Sequence, residues 1–326
     1  MGAIVDVTTS AGQDAAVGLV GSLEWIVITC DKTETDADEG WIMIPAENLI
    51  SACQGTGTKI AAMVDNAGDV GGLADALQLG VDALCVDATK AVRDEKLWAA
   101  CLDAKEAKLA AKSQMEDDAP TPTTSGPSIV QGSCKRLATP SGKSTVLADR
   151  VCIDLVQSLK PTEGCWLGSS AKIMALVLSE AAQSSFVPSR PFRVNAGPVH
   201  SYVLMGDGVS TKYLSELRAG DEVLVFDVEA ETERAVAVGR LKEEVRPCIQ
   251  IELSVDTGSV EKGQVFVQQA ETVRLGKRRG EAAFVRVTDL ESVADDAVAV
   301  EEEILLRVTE LGTHVGKAYS GNVQEK

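Results

Sequence analysis

KIAAMVDNAGDVGGLADALQLGVDALCV, residues 59–86, decides the fold of the first half of the chain. Lys59–Val64 (KIAAMV) is an apolar run of strand length, ending at Asp65-Asn66. Over 67–79, Val70, Leu73, Ala74 and Leu77 fall at helical spacing, Gly80 stands where a helix end wants a left-handed residue, and 81–86 (VDALCV) reads as a second strand. A strand–helix–strand unit of this length implies a parallel pair with a right-handed crossover. The first domain is therefore α/β, a barrel fragment or an open parallel sheet, and Trp25–Thr29 (WIVIT) adds a further β-type run ahead of it.

Outward from this unit, residues 92–112 are built of strong helix formers with Leu97, Cys101 and Ala104 on one face, whereas 114–127 (QMEDDAPTPTTSGP) has no apolar period. The acidic stretch 31–40 (DKTETDADEG) reads as a solvated insertion. From about residue 134 the texture changes to short apolar or alternating runs parted by Gly, Pro and Asp: 150–153, 172–177, 199–204, 222–226, 248–253 and 264–267. The expected organisation is an α/β domain over 1–113, a linker or disordered insertion over 114–133, and a mainly-β domain over 134–326. LSELRAGDEVLVFD (214–227) has a loose echo in VTDLESVADDAVAVEE (287–302), which suggests barrel-like β-units in the second domain.

Composition removes several classes of function. The 326 residues suffice for two domains, and no apolar run approaches the roughly 20 residues of a membrane-spanning helix. Residues 1–20 have no basic start and contain Asp6 and Asp14, so they encode neither a secretory signal nor an Arg-rich transit peptide. The chain reads as cytoplasmic, with a plastid the alternative should a targeting segment precede Met1. Eight cysteines without a C-x-x-C pair read as small buried hydrophobes, and two histidines support no His-rich metal site, so no metal ligands are assigned. A net charge of −18 repels polyanions and argues against nucleic-acid binding; an anionic small molecule must meet a local reversal of sign.

That reversal is found at 186–213 (FVPSRPFRVNAGPVHSYVLMGDGVSTKY), where Arg190, Arg193 and Lys212 face only Asp207, beside His200 and the aromatics Phe186, Phe192, Tyr202 and Tyr213. Guanidinium forks bind carboxylates bidentately. A strand starting near Val199 places His200 and Tyr202 on one face as a proton-transfer pair. These cations are therefore expected to line one concave site. A second candidate is 163–170 (EGCWLGSS), where Gly164, Gly168, Ser169 and Ser170 are suited to offer backbone N–H groups to a phosphate. Neither this stretch nor AGDVGG (67–72) is a G-x-G-x-x-G fingerprint, so motif alone does not argue for NAD.

RPFRVNAGPVHSYVL (190–204) and TKYLSELRAGDEVLVFD (211–227) resemble the archaeal-type, class II 3-dehydroquinate synthases, as do ADRVCIDL (148–155), EGCWLGSS, VGRLKEEVRP (238–247) and QQAETVRL (268–275). In the first domain WIMIPAENLI (41–50), GTKIAAMV (57–64) and GVDALCVD (80–87) are similar to the family's segments. The resemblance implies NAD-dependent oxidative deamination of 2-amino-3,7-dideoxy-D-threo-hept-6-ulosonate and aldol closure to 3-dehydroquinate, a step toward aromatic amino acids. On that reading Arg190, Arg193 and Asn195 hold the small amino sugar-acid, His200 or Tyr202 relays protons, Lys212 polarises a carbonyl, and Gly164, Gly168, Ser169 and Ser170 take the cofactor's phosphates. A homo-oligomer is an accompanying expectation, since family members carry further βα units ahead of the point matching Met1.

Two departures qualify the resemblance. Leu178 stands where the family carries a histidine, and Leu155-Val156 where it carries Thr-Cys, and each removes a polar group suited to proton transfer. The rival readings are a non-catalytic binding or scaffold protein on this fold, and a related metal-dependent amino-hydroxybenzoate synthase using carboxylates such as Glu180 and Glu271.

Overall fold

The computed structural model describes residues 1–30, 43–87, 94–117, 127–137, 145–183, 187–256, 260–278, 284–290, 302–309, 312–314 and 317–319. The chain forms two compact units, Met1–Thr124 with Lys317–Gly321 and Ser125–Gly316 with Asn322–Lys326. The acidic stretch 31–40 lies outside the described residues, as does most of the echo at 287–302.

The first unit is α/β. In chain order it comprises β1 (Gly2–Asp6), α1 (Ser10–Gly18), β2 (Trp25–Thr29), α2 (Met43–Cys53), β3 (Lys59–Val64), α3 (Ala67–Asp75), β4 (Ala83–Val86) and α4 (Glu95–Asp117). The four strands form a parallel sheet in the order β1-β2-β3-β4, with β1 and β4 at its edges. Ile26, Ile28, Ile60, Ala62 and Val64 point from the strands into one core with Leu49, Val70, Leu73 and Leu97 of the helices. Thr9 and Asn66 cap α1 and α3 by accepting hydrogen bonds from the backbone N–H of Gly12 and Asp69. The regular helix in the decisive stretch is shorter than its apolar period: α3 ends at Asp75, a 3-10 turn carries the chain to Gln78, and Gly80 then takes its left-handed conformation at φ +65°.

The segment 114–133 needs correction at both ends. Helix α4 runs on to Asp117, because Lys112, Gln114, Met115 and Glu116 are good helix formers even without an apolar stripe. Strand pairing resumes at Ser128 in β5 (Ser128–Leu137). Gly132 interrupts the alternation of β5 because a Cβ there would lie 2.6 Å from the carbonyl oxygen of Ser254, so the neighbouring strand requires a residue without one. Residues 118–126 lie outside the described residues.

The second unit is mainly β. After β5 come β6 (Val146–Leu155), β7 (Glu163–Gly168), β8 (Ile173–Glu180), β9 (Arg190–Pro198), β10 (Tyr202–Leu204), β11 (Thr211–Tyr213), β12 (Glu222–Asp227), β13 (Thr232–Asp256), β14 (Val260–Gln268), β15 (Arg274–Gly276), β16 (Phe284–Arg286) and β17 (Glu302–Val308). The path β7-β12-β13-β5-β17-β8 returns to β7 through the β7–β8 pairing, closing an antiparallel ring. The 25-residue β13 also pairs with β6, β6 with β9, and β9 with β8, so β6 and β9 bridge β13 and β8 of that ring. Alternate residues of β7, β8, β12 and β17 feed two cores: Cys165, Val177, Val225 and Leu306 enter one, and Trp166, Leu178, Phe226 and Leu305 the other. Burial on both faces explains why these strands read as continuous apolar runs.

Candidate active site

The polar residues of the second unit gather where β6, β9 and β13 lie side by side. On β6, Val151, Ile153 and Leu155 join the apolar core, while Arg150, Cys152 and Asp154 alternate with them on the opposite face. Register places Asn195 of β9 beside Cys152 and Arg193 beside Asp154; on the other flank β13 sets Arg240, Lys242 and Glu244 against Asp154, Cys152 and Arg150.

Asp154 is shared. Arg193 donates Nε and Nη2 to its two oxygens at 2.6 and 2.8 Å, and Arg240 donates Nε to Oδ2 at 2.9 Å. Burial pushes the Asp154 carboxyl up, but hydrogen bonds from Arg193 and Arg240 outweigh it and hold the pKa below the ordinary carboxylate value. Glu244 is shared as well: Arg150, Lys242 and Arg246 reach its Oε2 at 3.1, 2.9 and 3.2 Å. Glu180, at the end of β8, accepts from Arg190 at 3.2 Å and from Thr272 Oγ1 at 2.8 Å. Six cations thus surround three carboxylates, a surplus of positive charge within a chain of net charge −18.

Cys152 lies within this network, in contact with Arg150 Nη1. Burial pushes its thiol up, and Arg150 and Arg193 act in the opposite direction. Strand β14 approaches β9 from the polar side, with Asn195 donating to Gln268 Oε1 at 2.9 Å. Gly197, at φ +119°, permits this approach, because a Cβ there would lie 2.3 Å from the Phe266 carbonyl oxygen.

The cations expected in one concave clamp have four separate partners. Arg190 holds Glu180, Arg193 is buried on Asp154, Lys212 donates to Asp221 Oδ1 at 2.8 Å, and His200 meets the edge of Phe266 with ring centroids 5.5 Å apart. Of these cations only Arg190 is paired with Glu180, whose charge also acts on Arg193 at longer range. His200 is not on a strand with Tyr202: β9 ends at Pro198, Val199 and His200 form a turn, and β10 starts at Tyr202. Gly197 and Pro198 end the strand there. His200 lies exposed in the turn, but partial desolvation of its ring lowers its pKa, so its imidazole is neutral near pH 7. Tyr202 instead stacks on Tyr213, ring centroids 4.3 Å apart, and donates its hydroxyl to the Tyr213 oxygen at 2.5 Å.

The segment 164–170 does not fit a cofactor's phosphates. Gly164 and Gly168 are strand residues of β7, and the Ser169 N–H donates to the Gln264 carbonyl at 2.9 Å. Ser170 Oγ accepts from the Lys172 N–H in the β7–β8 turn. Gly164 serves close strand approach: a Cβ would stand 2.2 Å from the Val177 carbonyl oxygen. The sequence reading missed Arg150, Asp154, Arg240 and Thr272; the available signal was the alternation of charged and apolar residues in ADRVCIDL.

No helix among the described residues is long and apolar enough to cross a membrane. Among the same residues, no three of His, Cys, Asp or Glu gather as a metal-binding group.

Residues 1–100 match the family model of the 3-dehydroquinate synthase II N-terminal domain, and residues 140–326 that of the 3-dehydroquinate synthase II C-terminal domain. Proteins named 3-dehydroquinate synthase are similar to the chain in Haloquadratum walsbyi (33% identity over 303 residues), Methanopyrus kandleri (36% over 286) and Methanocaldococcus jannaschii (34% over 286). Each match covers 88% of this chain, and respectively 62%, 63% and 69% of the relative, so the chain spans under two thirds of the length of the first two. No solved structure matches it. With both domains matched in order, and identity above 30% over most of its length, the chain belongs to the 3-dehydroquinate synthase II family.

Proposed function

We propose that the chain is a class II 3-dehydroquinate synthase of aromatic amino acid biosynthesis. It deaminates 2-amino-3,7-dideoxy-D-threo-hept-6-ulosonate oxidatively, with NAD as the hydride acceptor, and closes the product to 3-dehydroquinate by an intramolecular aldol reaction. The single observation that carries this reading is the cation-rich polar face on β6, β9 and β13, since a substrate with a carboxylate is attracted by surplus guanidinium charge inside an otherwise acidic protein. The name of its relatives, 3-dehydroquinate synthase, supports it. Arg190, half exposed beside Glu180, is a better ligand for the substrate than Arg193, whose Nε and Nη2 are held by Asp154. His200, neutral near pH 7, is suited to accept and return a proton during enolisation. The residues at 164–170 do not fit the dinucleotide, and no step is assigned to them.

The test supplies the purified full chain with the amino-heptulosonate and NAD and follows NADH and 3-dehydroquinate together. Formation of both is expected; a folded chain that forms neither overturns the reading. A non-catalytic protein on the same fold is the second reading, favoured by Leu178, which is buried among Trp166, Leu176 and Phe226 and offers neither acid nor base.

A further inference from the structure

Arg274 is 3% exposed, yet no carboxylate lies within ion-pair distance of it among the described residues. Its Nη2 donates to the Ser179 carbonyl, while its Nη1 is buried without a hydrogen-bond partner among the described residues. Glu180 is the carboxylate whose field it feels, but Arg190 and Thr272 already occupy both Glu180 oxygens. A buried guanidinium without an anion is costly, and the sequence increases the cost. Arg286 stands directly across the β15–β16 ladder from Arg274, and like charges facing each other across strands are destabilising. Both guanidinium carbons approach the ring of Phe284, at 4.9 and 5.6 Å. The only acid paired with Arg286 among the described residues is Asp289, at 3.8 Å with both side chains about half exposed. Burial and the neighbouring Arg286 hold the Arg274 pKa below its ordinary value, the direction expected of a cation awaiting a counter-charge.

We propose that Arg274 and Arg286 form a binding site for the carboxylate of a small organic acid, Arg274 donating through Nη1 and Arg286 supplying the outer charge. A monoanion suits the position better than a phosphate dianion, because the Glu180 carboxylate is close enough to act on Arg274. The identification of that acid as the substrate rests on the synthase reading; the carboxylate site itself rests on the Arg274–Phe284–Arg286 geometry. The site lies beside Glu180, so it orients a bound acid next to the Glu180–Arg190 pair. Arg274 is here a positioning residue for the ligand's carboxylate and takes no part in bond making.

The test is calorimetric titration of the full chain with quinate, a cyclic hydroxy-carboxylate, and with quinamide, its neutral carboxamide. Wild type is expected to bind quinate at least about 10-fold more tightly than quinamide, in keeping with a charge-assisted hydrogen bond. Arg274→Gln is expected to abolish that preference while leaving quinamide binding unchanged, and Arg274→Lys to restore part of it. Arg286→Gln, at an exposed position that folding tolerates, is expected to reduce the preference several-fold. Equal binding of the two probes by wild type, binding of neither, or an equal loss for both in Arg274→Gln overturns the proposal. So does an unaltered preference in Arg286→Gln should Arg274→Gln fail to fold. Binding needs no turnover, so a chain that prefers quinate through Arg274 but makes no dehydroquinate refutes the synthase reading alone. A chain that makes dehydroquinate with an unchanged KM in Arg274→Gln refutes this proposal alone.

Discussion

Along β6, two rows of side chains are buried to the same depth and made of opposite chemistry. Val151, Ile153 and Leu155 enter the apolar core, while Arg150, Cys152 and Asp154 face a layer of guanidinium and carboxylate groups. The apolar row gains stability from leaving water, a non-directional term that tolerates substitution by other hydrophobes of similar size. The polar row gains little from burial itself and persists because each charge finds a partner across a strand. Equal burial therefore conceals unequal sensitivity: one face depends on volume, the other on the identity of particular atoms.

The sharpest break of this comparison is Asp154→Ala, which strips the carboxylate from buried Arg193 and from Arg240 together. It is expected to cost roughly 3–5 kcal/mol at pH 7 in urea unfolding, the usual cost of leaving a buried charge alone. A loss under 1 kcal/mol would show that water reaches Arg193 and that the polar row is not a buried layer. On the other face of the same strand, Ile153→Ala is expected to cost about 3 kcal/mol through the cavity it leaves, with quinate binding unchanged. A change in that binding would mean the two faces are coupled.

Acid separates the faces further. Burial pushes the Asp227 carboxyl up, but hydrogen bonds from Lys160 and from the backbone N–H groups of Glu229 and Ala230 help bring it down to about 2. Because the folded pKa is the lower one, this group's stabilisation is complete above the unfolded pKa of about 4 and disappears as pH falls toward about 2. Asp227→Asn should therefore weaken the protein at pH 7 and make little difference near pH 2, as read from urea midpoints at the two pH values, whereas Ile153→Ala should weaken it at both. The smallest stability effect is expected for His200→Ala, within about 0.5 kcal/mol because the residue occupies an exposed turn. Turnover of the amino-heptulosonate in that variant is expected to fall by roughly 10²-fold or more if His200 relays a proton. A parallel loss of both would make it a packing residue against Phe266.

Periodicity revealed what lies within a few turns of chain. The parallel unit around 59–86 and the change to β-structure after the helix were legible because Val70, Leu73 and Leu77, and the apolar runs of β8 and β12, carry their patterns locally. Of β13 only the run 248–253 was legible, since Lys242, Glu243 and Glu244 put charge into the part that pairs with β6. The polar face was legible in kind but misplaced. Surplus cations were visible at 186–213, yet Arg193 finds Asp154 across 39 residues of chain and Arg240 finds it across 86. A clamp assembled from three strands has no spacing for a sequence reading to find. His200 was misplaced for a local reason: the left-handed Gly197 and Pro198 end the strand before it.

The shared strand β13 has a consequence for how the chain is made. Strand β5 is complete at Leu137, but its two neighbours in the ring, β13 and β17, end at Asp256 and Val308. At about 5–20 residues per second, a ribosome leaves β5 with both edges unpaired for several seconds or longer. Pairings of such high contact order form slowly even in the finished chain. During that interval Ile129, Val130 and the unsatisfied backbone of β5 are open to other nascent chains, so the yield of folded protein should depend on synthesis rate and on whatever shields that strand until β13 arrives.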